Sequence, residues 1–210
     1  MKINYNDIKG VIHVGANTGQ ETRDSGIKFY HSYNLNVIWV EPILNVYNKL
    51  QDNIKMYVKQ RAFNALITDV DGQECDFFIT NNNGESSSIF ELNEHKRIWP
   101  TVHCTNKITI TSKTLSSLLY EESISIDDYN LLNMDTQGSE LLVLKGCVDI
   151  LPQFKYISLE VADFASYKNG CKLNEVEDFL VSNGFKRISL TPWNKGYSSG
   201  DYYDALYERL

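Results

Sequence analysis

The chain has 210 residues, of which 42% are hydrophobic and 12% aromatic, enough for a sizeable core in one domain spanning 1–210. Its formal charge of −7 repels phosphate backbones, which argues against a nucleic-acid partner, and no run of apolar residues is long enough for membrane insertion. The N-terminus lacks the apolar core of a secretory signal, and the four cysteines (Cys75, Cys104, Cys147 and Cys171) show neither disulfide nor zinc spacing, so a cytoplasmic protein with reduced thiols is expected, in its own or a host cell.

Val- and Ile-rich runs alternate with segments of helical period, the pattern of parallel strands joined by crossover helices. GVIHVG predicts the first strand. The following residues 18–30 predict a helix opened by Thr18 with Glu21 three places on, a capping box. NVIWVEP (36–42) predicts the second strand. Ile43, Val46, Leu50, Ile54 and Tyr57 then mark one face of a second helix. RAFNALIT (61–68) is the third strand candidate, followed by a turn at Asp71-Gly72 into an outer strand.

The stretch NNNGESSS (81–88) has no period and reads as a flexible loop of the kind that carries binding groups. KITITS (107–112) alternates like a half-buried strand, and TLSSLL begins a helix. DYNLLNMD (128–135) returns to the sheet, QGSELLVLKG gives the next helix with Gly146 as its stop, and YISLEVA (156–162) is a further strand. The tail holds a helix in LNEVEDFLVSNG and two strands, FKRISL and DALYERL. Two consecutive strands at the end of an α/β sheet imply that one inserts antiparallel.

Strand, then Gly15-Ala16-Asn17-Thr18-Gly19, is a turn that lets backbone pass close to a ligand, and Glu41 ends the second strand where an acid would meet ribose hydroxyls. The pair points to an adenosine-containing cofactor. G-x-N-x-G lacks the middle glycine of a pyrophosphate cradle, which counts against NAD.

The ordered set VGANTGQE (14–21), WVEP (39–42), FNALITDVDG (63–72), GESSSIF (84–90), TLSSL (114–118), NMDTQGSELLVLKG (133–146) and ISLE (157–160) resembles the FkbM-type S-adenosylmethionine-dependent methyltransferases. The resemblance covers most of residues 11–160. It implies an α/β class I methyltransferase fold: a Rossmann-like, mostly parallel sheet with one antiparallel strand near the C-terminus and helices on both faces. It further implies that Gly15, Ala16, Asn17 and Gly19 hold the methionine end of S-adenosyl-L-methionine, that Glu41 and Pro42 meet the ribose, and that Asn64 and Ala65 border the adenine. Asp135 and Thr136 would lie under the sulfonium, with Ser87 and Ser88 in a closing loop.

His13 stands where this family often has an aspartate that could bind the cofactor's ammonium; Glu21 is the alternative partner, or simply a cap. Glu140 reads equally as a helix-capping carboxylate or as a substrate contact.

An O-methyltransferase must remove a proton from its acceptor, and the candidate bases are Asp135 first, then His103, with His95 in the same segment as His103. Asp135, Glu160 and Asp163 are carboxylates that could hold magnesium, though nothing in their spacing demands a metal and none is predicted. The resemblance implies a hydroxyl acceptor on a natural product or sugar. The expected acceptor is a sugar of a glycan, glycolipid or nucleotide sugar, met by Ser87, Glu140, Glu160 and Trp193. Such domains accompany glycosyltransferase domains, so the chain is compatible with being part of a longer protein. The rival readings are an NAD-dependent oxidoreductase or epimerase, a module that binds a cofactor without turnover, and a nucleic-acid methyltransferase. The first is disfavoured by the missing middle glycine, and the last by the negative charge and the lack of a basic stripe.

Overall fold

The computed structural model describes residues 3–20, 25–192 and 200–210. Strands β1 (Gly10–Val14), β2 (Asn36–Val40), β3 (Gln60–Phe63), β7 (Leu131–Met134), β8 (Tyr156–Ala162), β9 (Phe185–Pro192) and β10 (Tyr202–Arg209) form one sheet of order β3-β2-β1-β7-β8-β10-β9. β10 runs antiparallel between β8 and β9, as the two consecutive C-terminal strands require, and the pairings among β3, β2, β1, β7 and β8 are parallel. All five residues of β1 are buried, the mark of a strand covered on both faces.

On one face, helices α4 (Leu115–Glu121), α5 (Glu140–Lys145) and α6 (Leu173–Ser182) pack Leu118, Val143 and Leu180 against Ile12, Leu132 and Ile157. On the other, α1 (Ile27–Ser32) and α2 (Leu44–Ile54) pack Ile27, Leu50 and Ile54 over Val11, Val37 and Trp39. The period read at Val46, Leu50 and Ile54 is the buried stripe of α2.

Several sequence expectations are corrected. RAFNALIT is not one strand, because Asn64 turns its amide to the carbonyls of Glu41 and Pro42 at 2.8 and 2.9 Å and the chain leaves the sheet there. The next piece, β4 (Leu66–Ile67), joins a second, three-stranded sheet of order β4-β6-β5 with β5 (Glu74–Thr80) and β6 (Cys104–Lys113). Leu66 and Phe77 of this sheet pack on Ile43 and Val46.

The helix expected from Thr18 starts later. Asn17 takes a left-handed φ of 45° and its side chain accepts the Thr18 amide at 2.7 Å, so Thr18 lies in the turn and α1 starts only after Gly26. Glu21 lies outside the described residues. Gly146 does end α5, but its φ of −72° is ordinary; what demands glycine is the Thr68 carbonyl, 2.0 Å from where a Cβ would stand.

The stretch 81–88, expected to be a flexible loop, is a hydrogen-bonded turn. Ser87 Oγ accepts the Thr80 amide at 3.0 Å, Asn82 Nδ2 donates to Ser86 Oγ at 2.9 Å, and Ser86, Ser87 and Ser88 are buried. Buried hydroxyls satisfied by near neighbours favour one conformation over many.

Candidate active site

The carboxyl ends of β1, β2 and β7 converge at one point. The Gly15 and Ala16 amides both donate to the Val40 carbonyl at 3.0 Å, and the Asp135 amide donates to the Val14 carbonyl at 3.0 Å. The turn after β1 is thereby clamped between its two neighbours. Gly15 has φ +79°, and a Cβ there would stand 1.9 Å from the Asp135 carbonyl oxygen, so only glycine allows this approach.

A cavity of about 1300 Å³ opens at this point. Gly15, Ala16, Asn17, Gly19, Glu41, Pro42, Ala65, Ser87, Asp135, Thr136 and Glu160 all line it, so the structure brings together most of the residues singled out from sequence. Five others are not among its lining residues. His13 is fully buried under the floor, 5.0 Å from the Trp39 ring and within 3.1 Å of the Asn133 amide. Asn64 is exposed and spends its amide on backbone, while Ser88 is buried with Oγ accepting the Phe90 amide. Glu140 is buried beneath the turn that follows Asp135, where its carboxylate accepts from the Thr136 and Gly138 amides. His103 is exposed just before β6, its ring against the Thr101 carbonyl, so it is not brought to the cavity. Trp193, like Glu21, lies outside the described residues.

Glu41 is 5% exposed, and both its oxygens accept backbone amides, from Asn17 and from Ile43, each at 2.9 Å. Each oxygen keeps a second lone pair. Burial raises its pKa from 4.5 to about 7 against the pull of those two amides. Because the folded-state value is raised, this group's contribution to the stability of the ligand-free chain is complete below pH 4.5 and is lost as pH rises through about 7.

Beside Glu41, Pro42, Ile43, Ala65, Leu66 and Phe77 form an apolar slot. At the opposite end stand Asp135, Glu160 and Asp204. Burial, and then the charges of Asp135, Glu140 and Asp204, push Glu160 well above the usual carboxylate range. Gln137, in a left-handed φ of 56°, donates Nε2 to Asp135 Oδ1 at 2.5 Å and accepts the Tyr167 hydroxyl on Oε1 at 2.5 Å. Tyr167 also reaches the Ser86 carbonyl at 3.2 Å, so the turn 81–88 is tied to Asp135 through two side chains. His95, considered from sequence as an exposed loop residue or a base, instead opens the short helix α3 (His95–Ile98) and is buried against Trp99 and Tyr167. Burial holds its pKa down to about 4, and Nδ1 has no partner among the described residues.

Sequence reasoning missed Gln137, Tyr167 and Asp204. Gln137 could have been found from its place two residues after Asp135; Tyr167 and Asp204 arrive from distant segments and carry no local signal.

An apolar slot, a buried carboxylate able to accept from hydroxyls, and an acidic far end suit a ligand with a flat ring, a ribose and positive charge. These residues fit S-adenosylmethionine. Asp163, considered for a metal, is held by the Asp201 amide and the Tyr203 hydroxyl, and among the described residues no group of three or more His, Cys, Asp or Glu is placed to hold a metal ion.

The strand order with its single antiparallel insertion, and the position of this cleft, define the class I S-adenosylmethionine-dependent methyltransferase fold. Residues 13–187 match the methyltransferase FkbM domain, and the chain belongs to that family of methyltransferases. It is 24% identical over 179 residues to the 2-O-methyltransferase NoeI of Sinorhizobium fredii, covering 82% of this chain and 71% of that one. Its fold is similar to the FkbM methyltransferase of Methylobacillus flagellatus KT, with a TM-score of 0.58 at 14% identity over 95% of this chain and 43% of that one. It is also similar to the magnesium protoporphyrin IX methyltransferase of Synechocystis PCC 6803 crystallised with bound S-adenosylmethionine, with a TM-score of 0.54 at 9% identity over 99% and 72% of the two chains.

Proposed function

We propose that residues 1–210 act as one catalytic domain, an O-methyltransferase that moves a methyl group from S-adenosylmethionine to a hydroxyl of a sugar. The observation that carries this reading is that one cavity unites the Gly15 turn, Glu41 and Asp135, and continues from Asp135 onto a polar surface. The kinship with a 2-O-methyltransferase supports oxygen as the methylated atom. The net charge of −7 and the acidic end of the cleft weigh against a nucleic-acid acceptor. Four free cysteines suit a reducing compartment such as the cytoplasm, and among the described residues no helix is long and apolar enough to cross a membrane.

When bound, the cofactor supplies an activated methyl with its own leaving group. The protein's tasks are then alignment and proton removal. Glu41 would accept the ribose hydroxyls on its two remaining lone pairs, and the apolar slot would take the adenine. Asp135, oriented by Gln137, accepts the acceptor's proton as the oxygen attacks.

Two expected results arise from these roles. Hydroxyl donors and positive charge favour the ionised form of Glu41, so affinity for the cofactor should rise about tenfold from pH 6 to pH 8, the interval around its raised pKa. Calorimetry at several pH values should find that slope abolished in Glu41→Gln. Tyr167→Phe leaves the Gln137 carbonyl unsatisfied and frees its amide from Asp135; kcat should fall about tenfold with the cofactor's KM unchanged. Steady-state kinetics at saturating acceptor would read both parameters.

A labelled methyl donor offered with mono- and oligosaccharides, and with small amines and carboxylates, tests the reaction itself. Label on a sugar oxygen supports the proposal. Label found only on nitrogen or carboxylate would reject it.

A further inference from the structure

Among the described residues, the helices of the second face stop at β1. Beyond it, on that face, the strands β7, β8, β10 and β9 carry side chains of another character. Leu131, Tyr156 and Leu206 belong to the same apolar cluster as Val11 and Trp39, which fixes the face. Two residues along each strand the sequence turns polar: Asn133 follows Leu131, Ser158 follows Tyr156, and Asp204 precedes Leu206.

Strand register lines these up. Asn133 pairs with Ser158, Ser158 with Leu206, and Leu206 with Ser189, while one step nearer the catalytic edge Glu160 pairs with Asp204 and Asp204 with Thr191. All of these side chains line the same cavity that holds Asp135, which therefore extends across the sheet for three inter-strand spacings, about 14 Å. Its side wall is aromatic. Tyr5, Phe29 and Tyr33 pack on one another with ring centroids 4.7–5.2 Å apart, and all three face the cavity.

On the basis of the function proposed above, we infer that this open sheet face is the acceptor groove, built for an extended neutral oligosaccharide whose reacting hydroxyl lies at Asp135. Three observations choose that occupant. The floor presents the hydroxyls of Ser158, Ser189 and Thr191 and the amide of Asn133, groups that both donate and accept, as sugar hydroxyls do. The wall offers rings for the apolar faces of pyranoses. The ionisable residues lining the cavity, among those described, are Glu41, Glu85, Asp135, Glu160 and Asp204, all acids, so no cation among them is offered to phosphate, sulfate or uronate groups. A nucleotide-activated monosaccharide, allowed by the sequence reading, finds no cation for its diphosphate among the described lining residues, and a monosaccharide leaves most of the groove unfilled.

The test is direct binding, which does not depend on turnover. The full chain is titrated with a neutral series from glucose to maltohexaose and chitohexaose, with oligogalacturonate, and with UDP-glucose, each with and without S-adenosylhomocysteine. Affinity for the neutral series should rise with length, and neither anionic probe should bind. Ser158→Leu and Ser189→Trp, which fill the floor from a central and an edge strand, should each weaken the longest neutral ligand about tenfold and leave S-adenosylhomocysteine affinity within about twofold. The second variant stands in if the first fails to fold. Preference for an anionic probe, no length dependence, no binding by any neutral oligosaccharide, unchanged binding in both variants, or a dimer dissolved by Ser189→Trp would each overturn the inference. Loss of S-adenosylhomocysteine binding by the wild-type chain would instead overturn the methyltransferase reading beneath it.

Discussion

Asp135→Asn should lower the methyl-transfer rate about a hundredfold to ten-thousandfold, the span associated with losing a positioned general base, while weakening cofactor binding no more than about tenfold. Asparagine is close in shape, and its carbonyl oxygen can still accept from Gln137 Nε2, which holds Asp135 Oδ1 at 2.5 Å in the native chain. The geometry of the turn is thereby kept, and what is lost is the ability to take a proton. Single-turnover rates with S-adenosylmethionine, alongside calorimetric affinity, separate the two effects. Full activity in Asp135→Asn would remove this residue from the role of base.

Gly15→Ala should have the largest effect on the site's architecture. The new Cβ would stand 1.9 Å from the Asp135 carbonyl oxygen and 2.7 Å from its carbon, both backbone atoms that cannot swing aside, and the φ of +79° is unfavourable for alanine in any case. The ends of β1 and β7 must part where cofactor and base meet. A loss of about 3 kcal/mol in stability, combining the backbone cost with overpacking, is expected, together with cofactor affinity lowered at least tenfold. Gly72→Ala is the control. It shares a positive φ, +75°, but a Cβ there meets nothing within 4 Å, so only the backbone cost of about 1 kcal/mol applies and binding should be unchanged. Chemical denaturation of the two variants, with calorimetry, compares clash and backbone strain directly.

The fold was legible because its strands are short, β-branched and separated by turns and periodic helices, as in NVIWVEP and the α2 stripe at Val46, Leu50 and Ile54. It was less legible where local chemistry and tertiary demand diverge. Thr18 and Glu21 carry the pattern of a capping box, but Asn17 takes the Thr18 amide first. RAFNALIT reads as one strand, and only the carbonyls of Glu41 and Pro42, brought in by β2, show why Asn64 divides it. NNNGESSS has the composition of a mobile loop, and its order comes from a closed set of hydroxyl and amide partners.

The cofactor end of the site was legible for a different reason. Gly15, Glu41 and Asp135 each end a strand, and strand ends at the carboxyl edge of such a sheet meet in space. His103 and Asn64 failed to reach the cavity because a strand-end argument does not cover loop residues and side chains that fold back on backbone. Tyr167 and Asp204 enter from segments far along the chain, and their approach to Asp135 depends on tertiary packing that no local pattern records.

Every role assigned above depends on the Gly15–Glu41–Asp135 cleft binding S-adenosylmethionine. Calorimetric titration of the chain with S-adenosylhomocysteine, and separately with NAD, measures it most directly. One-to-one binding of S-adenosylhomocysteine, weakened about a hundredfold by Glu41→Ala, is expected, with no binding of NAD. Binding of NAD with no binding of S-adenosylhomocysteine would contradict the assignment.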